Sequence, residues 1–459
     1  MASRKDGAKV VQSLTADPIG DSLESGESGV VDGRARTTTT GILMLYLFLL
    51  MAIPADLVFA PLGAAGGPAT LFALLVFVMY LGSWLRPSSF LDRRRQPIRL
   101  AGVLFTCAMV ASYASANRHL LPVLEENSSD RGLIYLFGWL GILLLAADGT
   151  ESVAALRTVL RRQVFGATAV ALLGIGEFIS RINAANYIRI PGLIAQAPVT
   201  DLMVRGGLSR VAATTSQPIE FGAVVVMTIP FALHQARFAA PDKRAWRWLQ
   251  VAVLVLASPL SVSRSAILAL IAVAIVLLPS WSRKERRTAY ILMAAGFAAF
   301  LGFVPSLITT LADLVIHISS DSSAQSRTRA IAMSWSYISQ HPWLGHGFST
   351  FLPQTYFFVD DQYLTSAIST GFIGLLALIM LFVTGWAVAR EARRGSVDAE
   401  GRHLAQCLAA SVAAAAISFS DYDALSFSMA TGLTFLVLGC CGAYWRLASR
   451  EGFQAHVLS

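Results

Sequence analysis

The sequence predicts an all-α polytopic membrane protein with about 12 transmembrane helices, and three observations carry that prediction. The composition is 55% hydrophobic and only 14% charged, with a mean hydropathy of +0.60, whereas soluble domains carry about a quarter charged residues. Apolar runs recur at lengths near the ~20 helical residues that a ~30 Å hydrocarbon core needs, with none of the alternation of a membrane barrel. Basic residues, finally, alternate in abundance from one inter-run segment to the next, as the positive-inside bias requires.

Taken in order, the candidate spans are 41–60, 67–85, 98–115, 132–148, 163–180, 217–235, 246–261, 263–280, 288–306, 363–388, 403–420 and 424–444. With the N-terminus inside, the basic clusters at Arg93, Arg157, Lys243, Arg283, Arg390 and Arg446 all fall on the cytoplasmic side. That side then holds 27 of the 36 basic residues, with nine outside. A missed span would invert this pattern, so an even number of crossings is expected, with both termini cytoplasmic. The same pattern discounts nucleic acid as the reason for the net charge of +8.

Five regions follow: a disordered cytoplasmic tail over 1–40, spans 1–9 over 41–306, a large external loop over 307–362, spans 10–12 over 363–446, and a cytoplasmic tail over 447–459. The first region is rich in Ser, Gly, Asp and Thr and lacks the apolar core of a cleavable signal. Within the loop, LITTLADLVIHI is too short to cross and predicts an amphipathic surface helix. A second helix is expected from Ser326 to Gln340, ending before Pro342. Cys107, Cys407, Cys440 and Cys441 lie in or beside apolar runs without a C-x-x-C pair, and read as small buried hydrophobes.

The polar residues of interest are external. Arg264, in LSVSRSAILAL at the outer end of a span, reads either as a snorkelling side chain or as a diphosphate clamp, since the guanidinium fork binds phosphate oxygens bidentately. Arg210, in GLSRVAATTSQP, precedes another span and could reach the same point. Arg327 and Arg329 flank the start of the external helix, as anion ligands or as a solvated pair. His341 and His346, in HPWLGHGFSTF, are a base and its partner or packed turn residues, and their spacing is poor for zinc. Asp360 and Asp361 read as a thin cation site, a general base, or a helix cap; Gln362 and Tyr363 follow them. No metal or other cofactor is expected. The chain contains no internal repeat, which weakens a transporter or flippase reading, and transporters place their sites near the midplane rather than outside. A non-catalytic assembly scaffold remains a third class.

SQHPWLGHGFSTF followed by DDQYLTSAISTGFIGLL resembles the membrane domain shared by O-antigen ligases and O-antigen or exopolysaccharide polymerases. SRVAATTSQPIEFG, SVSRSAILAL and PADLVFAPLGAAGGPA resemble further family segments. The resemblance implies a GT-C-like, metal-independent glycosyltransferase of the cytoplasmic (inner) membrane with its active site outside. Its donor would be a glycan on undecaprenyl diphosphate, and its acceptor a hydroxyl of another glycan or glycolipid. It implies that Arg210 and Arg264 hold the diphosphate, and that a group in the loop serves as base with inversion at the anomeric carbon. A chain-length regulator or flippase would be a partner beside the bilayer itself. Ligases carry histidine where this chain has Asp360, and asparagine at Asp361; that departure leans the reading toward polymerase, with ligase as the alternative.

Overall fold

In the computed structural model the described residues are 39–85, 95–196, 202–205, 207–303 and 322–457. The chain is helical almost throughout: α1 Thr39–Ala52, α2 Pro68–Trp84, α3 Pro97–Ala116, α4 Val123–Gly149, α5 Val153–Ser180, α6 Pro218–Arg237, α7 Pro241–Ala257, α8 Arg264–Leu277, α9 Arg283–Phe303, α10 Ser322–Gln340, α11 Gln362–Gly395, α12 Ala399–Ser418 and α13 Ser428–Val457. Proline stands at the first turn of α2, α3, α6 and α7, where its missing N–H costs nothing. Ser152, Asp361 and Asp398 cap α5, α11 and α12 through their side-chain oxygens.

Each predicted span coincides with a helix, but length and composition qualify fewer of them as crossings. Six helices among the described residues are long and apolar enough to cross a membrane: α3, α4, α5, α6, α11 and α13 as far as Ser449. A seventh is added if the 3-10 helix Ala60–Gly66 and α2, bent by 77°, form one span. The difference from about twelve has local causes. α1 stops at Ala52, just before Pro54, and α8 is only 14 residues long. α7 and α9 open on the charged runs PDKR and RKERR.

α4, α6 and α13 are the most buried of the candidate spans. α13 packs on α4, α11, α12, α3 and α6, and so forms the axis of the bundle. Large apolar side chains such as Phe48, Val78, Leu104, Ile275 and Leu376 are exposed on the outer helices, the arrangement lipid-facing surfaces require. One end of the bundle is tied by the partly buried pair Arg99–Asp148 at 3.0 Å, with the Tyr80 hydroxyl donating to Asp148 at 2.6 Å.

Several details differ from expectation. Two short antiparallel pairs occur: Leu57–Val58, within the predicted span 41–60, with Ile194–Ala195, and Val204–Arg205 with Leu208–Ser209. α4 begins at Val123, eight residues before Arg131, so much of the expected loop 116–131 is helical. α13 continues through the expected C-terminal tail to Val457. Cys107 is exposed on α3, whereas Cys407, Cys440 and Cys441 are buried. The surface helix expected at LITTLADLVIHI and the N-terminal tail as far as residue 38 lie outside the described residues.

Candidate active site

A cavity of about 850 Å³ is walled by α3, α4, α6, α8, the segment between α10 and α11, the first turns of α11 and the turn between α12 and α13. Arg210, Arg264, Asp360 and Gln362 all line it, from segments up to 152 residues apart. Trp139, Tyr135 and Met109 supply part of its apolar wall.

The two arginines are positioned through one another's segments. Ser258–Ser261 forms a 3-10 turn, Val262 follows with φ of 45°, and Arg264 is the first residue of α8, 8% exposed. A β-branched residue with positive φ is a strained conformation, held here because Val262 is fully buried. Arg210 Nε donates to the Ser261 carbonyl at 3.0 Å, and Val211 N–H reaches the Leu260 carbonyl at 3.4 Å. The Arg210 segment is fixed from below by Glu177 of α5, whose carboxylate accepts from the backbone N–H groups of Ala184, Ala212 and Ala213 at 2.8–3.2 Å. Glu220, with no exposed surface, accepts from Ser216 N–H and from Met429 and Ala430 N–H, joining the starts of α6 and α13. A carboxylate at a helix start satisfies orphan donors and complements the dipole.

The HPWLGHG run is a backbone splint. α11 is broken at Gly371, with φ of 63° and ψ of −168°. The strand-like exchange around the break pairs His346 N–H with the Ile368 carbonyl at 2.9 Å, Gly347 with Ser369 at 2.8 Å, and Phe372 with Pro342 at 2.8 Å. Ser112 Oγ of α3 donates to the carbonyls of Leu344 and Ser369. Freed backbone groups at a helix break must find partners when water is excluded, and here the loop supplies them. A Cβ at Gly345 would sit 2.4 Å from the Ser369–Thr370 peptide, and one at Gly371 would sit 2.4 Å from Trp343 backbone atoms. Gly345→Ala is therefore expected to remove the splint and lower the detergent-solubilised melting temperature sharply, beyond the ~1 kcal/mol of an ordinary glycine change. An unchanged melting curve would show that the loop does not need this approach.

His346 belongs to the loop's packing. Its Nδ1 lies 2.9 Å from Thr350 Oγ1 and its Nε2 lies 3.2 Å from the Tyr356 hydroxyl, which donates to Glu125 of α4 at 2.7 Å. Burial pushes the His346 imidazole below its ordinary value, with Glu125 opposing. The Phe351 and Tyr356 rings meet it edge-on, and Tyr337 and Phe357 pack in turn against those rings. His341 is exposed at the end of α10, away from the cavity wall.

The adjacent aspartates divide. Asp360 is exposed and lines the cavity, whereas Asp361 caps α11 by accepting from Tyr363 N–H at 2.8 Å and Leu364 N–H at 3.1 Å. Tyr363 turns to α12, donating to the Ala416 carbonyl at 2.8 Å. Gln362 joins α11 to the turn after α12: its N–H reaches Phe419 at 2.9 Å and its Oε1 accepts from Leu425 N–H at 2.8 Å. Arg329 is exposed on α10 outside the cavity wall, and the Arg327 side chain lies outside the described residues.

Gln362 thus brings in residues that sequence reasoning missed. Asp421 and Asp423 line the same cavity, from the short SDYD segment between two apolar runs, where a pair of aspartates at the end of an apolar run was the available signal. Asp423 is half-buried and bonded to Ser426 Oγ at 2.5 Å. Burial pushes its carboxyl up to about 6, and the neighbouring Asp360 carboxylate adds to the rise. The cavity therefore sets two guanidinium groups and three carboxyl groups around one space, the first suited to an anionic group and the second to proton acceptance.

Comparison with the curated proteins gives no match. Residues 249–379, a little over a quarter of the chain, match the family model described as O-antigen ligase, and they run from α7 through α8 and the external loop to beyond the break in α11. Arg264, Asp360 and the HPWLGHG splint fall inside that stretch, Arg210 and Asp423 outside it; over residues 249–379 the chain is similar to the O-antigen ligase family.

Proposed function

We propose that the protein transfers a glycan from a polyisoprenyl diphosphate, undecaprenyl diphosphate by the family resemblance, to an acceptor hydroxyl on the outer face of the cytoplasmic membrane. The observation that carries this reading is the single cavity in which Arg210 and Arg264 share walls with Asp360 and Asp423. Charge grows on the diphosphate as the glycosidic bond breaks, and fixed guanidinium groups in a poorly hydrated site stabilise that charge more than water does. Asp360 takes the proton of the acceptor hydroxyl as its oxygen attacks the anomeric carbon from the face opposite the leaving group, so the configuration inverts. The diphosphate lipid leaves without needing a proton. Asp423 holds part of the negative charge beside Asp360, and Gln362 fixes the two turns relative to one another.

Twelve crossings with both termini cytoplasmic fit this orientation, because the shorter or more polar helices α1, α7, α8, α9 and α12 then cross within the bundle and the charge bias is satisfied throughout. The five-region division, with the external loop at 307–362, follows from the same orientation. Polymerase is the favoured form, since carboxylates rather than histidine stand at the acceptor side. Deleting the protein and sizing the surface glycan tests this. Single repeat units left on the lipid carrier mark a polymerase; long lipid-linked polymer marks a ligase, in which the finished glycan moves to a different acceptor. An unaltered glycan profile would remove glycan transfer altogether.

The carboxyl pair also predicts a pH dependence. A group raised to about 6 is protonated below that value, so transfer should fall as pH drops through about 6, when Asp423 gains a proton and the site loses acceptor capacity. Asp423→Asn holds that position uncharged at every pH, so the fall near pH 6 is expected to disappear, with transfer at neutral pH already at the reduced level. A limb unchanged in that variant would take Asp423 out of the titrating set.

A further inference from the structure

At the opposite ends of α6 and α12 from the cavity, His234, His403 and Cys407 form a buried cluster. His234 lies 14 residues along α6 from Glu220, and His403 lies 15 residues before Ser418 on α12, so both helices set the cluster about 20 Å from the cavity. His403 and Cys407 stand one helical turn apart on one face, a relation the sequence reading of the cysteines overlooked.

His234 Nδ1 and His403 Nδ1 are 3.2 Å apart, and Cys407 Sγ is 3.4 Å from the same His403 Nδ1. A zinc ion bound at ~2.0–2.1 Å to nitrogen and ~2.3 Å to sulfur in tetrahedral geometry places two nitrogens about 3.3 Å apart and a nitrogen and a sulfur about 3.6 Å apart. All three ligand atoms lie within 4.8 Å of one another, so rotation of the Cys407 side chain closes the remaining edge. Hydrogen bonding alone does not satisfy the group. An imidazole nitrogen offers one in-plane lone pair or one proton, so His403 Nδ1 serves either His234 or Cys407 and leaves the other short. His403, 7% exposed, also has an Nε2 with no hydrogen-bond partner.

The surroundings are aromatic on the His403 side, and His234 borders a cavity of about 220 Å³ through which a fourth ligand can enter. Phe238 and Trp281 pack on His403, Trp281 with rings nearly parallel. Of the cations whose charge reaches His234, Arg157 is engaged by Glu400 at 3.2 Å, and Arg237 is engaged by Glu285 at 2.5 Å and lies over the Phe238 and Trp281 rings. We propose that His234, His403 and Cys407 bind one transition-metal ion of the zinc class, which clamps the end of α6 to the start of α12. Binding exchanges the Cys407 thiol proton for the ion and leaves a fourth position for water or another small ligand. The site is separate from glycan transfer and stands or falls without it.

Cobalt is the probe, because a thiolate–Co²⁺ bond gives a charge-transfer band and tetrahedral coordination gives intense visible bands. Tag-free, full-length protein in detergent, loaded with Co²⁺ and desalted, is expected to retain one ion per chain with both features. Cys407→Ala should lose the charge-transfer band, His234→Gln should weaken retention by at least tenfold, and Cys440→Ala should leave both unchanged. Zinc should raise the melting temperature of the wild type and not that of Cys407→Ala. Folded wild-type protein that retains no cobalt, or a charge-transfer band that survives in Cys407→Ala, overturns the proposal. Should Cys407→Ala fail to fold, cobalt retention in His234→Gln at the wild-type level overturns it equally.

Discussion

Arg264→Ala is expected to lower glycan transfer by about 10²- to 10³-fold in reconstituted membranes, the range seen when one preorganised donor to a developing anion is removed. The side chain is 8% exposed at the first residue of α8, so its charge acts across protein rather than across bulk water. Arg264→Lys keeps the charge and loses the planar fork; it should retain intermediate activity, roughly tenfold below the wild type, if two-oxygen contact matters. Arg210→Ala should resemble Arg264→Ala but not add to it, because Arg210 Nε also holds the Ser261 carbonyl in the turn that presents Arg264. Full product yield and chain length from Arg264→Ala, with the protein folded and inserted, would end the diphosphate-clamp reading.

Asp360→Asn carries the second large effect, a loss of about 10²- to 10⁴-fold in turnover, the usual worth of a positioned general base. The amide keeps the size of the side chain and most of its polar contacts, so KM for the lipid-linked donor should change little while kcat falls. Asp361 makes the contrast. Its carboxylate caps α11, so Asp361→Ala should cost about 0.5–2 kcal/mol of stability while transfer survives in the fraction that stays folded. If Asp361→Ala abolished turnover in a stably folded protein and Asp360→Asn did not, the roles assigned to the two neighbours would be reversed.

The aspartate pair illustrates what a sequence leaves open. Base, cation ligand and cap were all reasonable readings of DDQYL, because each depends on where the first turn of the helix begins and on what lies opposite. The structure separates them by one residue: the cap falls at Asp361, and the side chain before it opens to the cavity. The histidines behave similarly. Their motif marks a conformationally demanding turn, and Gly345, Gly347 and Gly371, all with positive φ, make the contact with the broken helix that gives the motif its form. His346 serves that turn through Thr350 and Tyr356. Asp423 and the His234–His403–Cys407 cluster were hidden in part for another reason: the His403–Cys407 spacing and the SDYD pair are written in single segments, but their partners His234 and Asp360 come from other parts of the chain.

Hydropathy, charge bias and proline placement are local quantities, and they sufficed to establish a helical membrane protein and the position of nearly every helix. Where α11 breaks and how Arg210 meets the turn before Arg264 were decided by tertiary structure alone. Those features rest on contacts between residues 50 to more than 200 positions apart, and the free energy of such contacts depends on which backbones the bundle brings together, not on the composition of any one stretch.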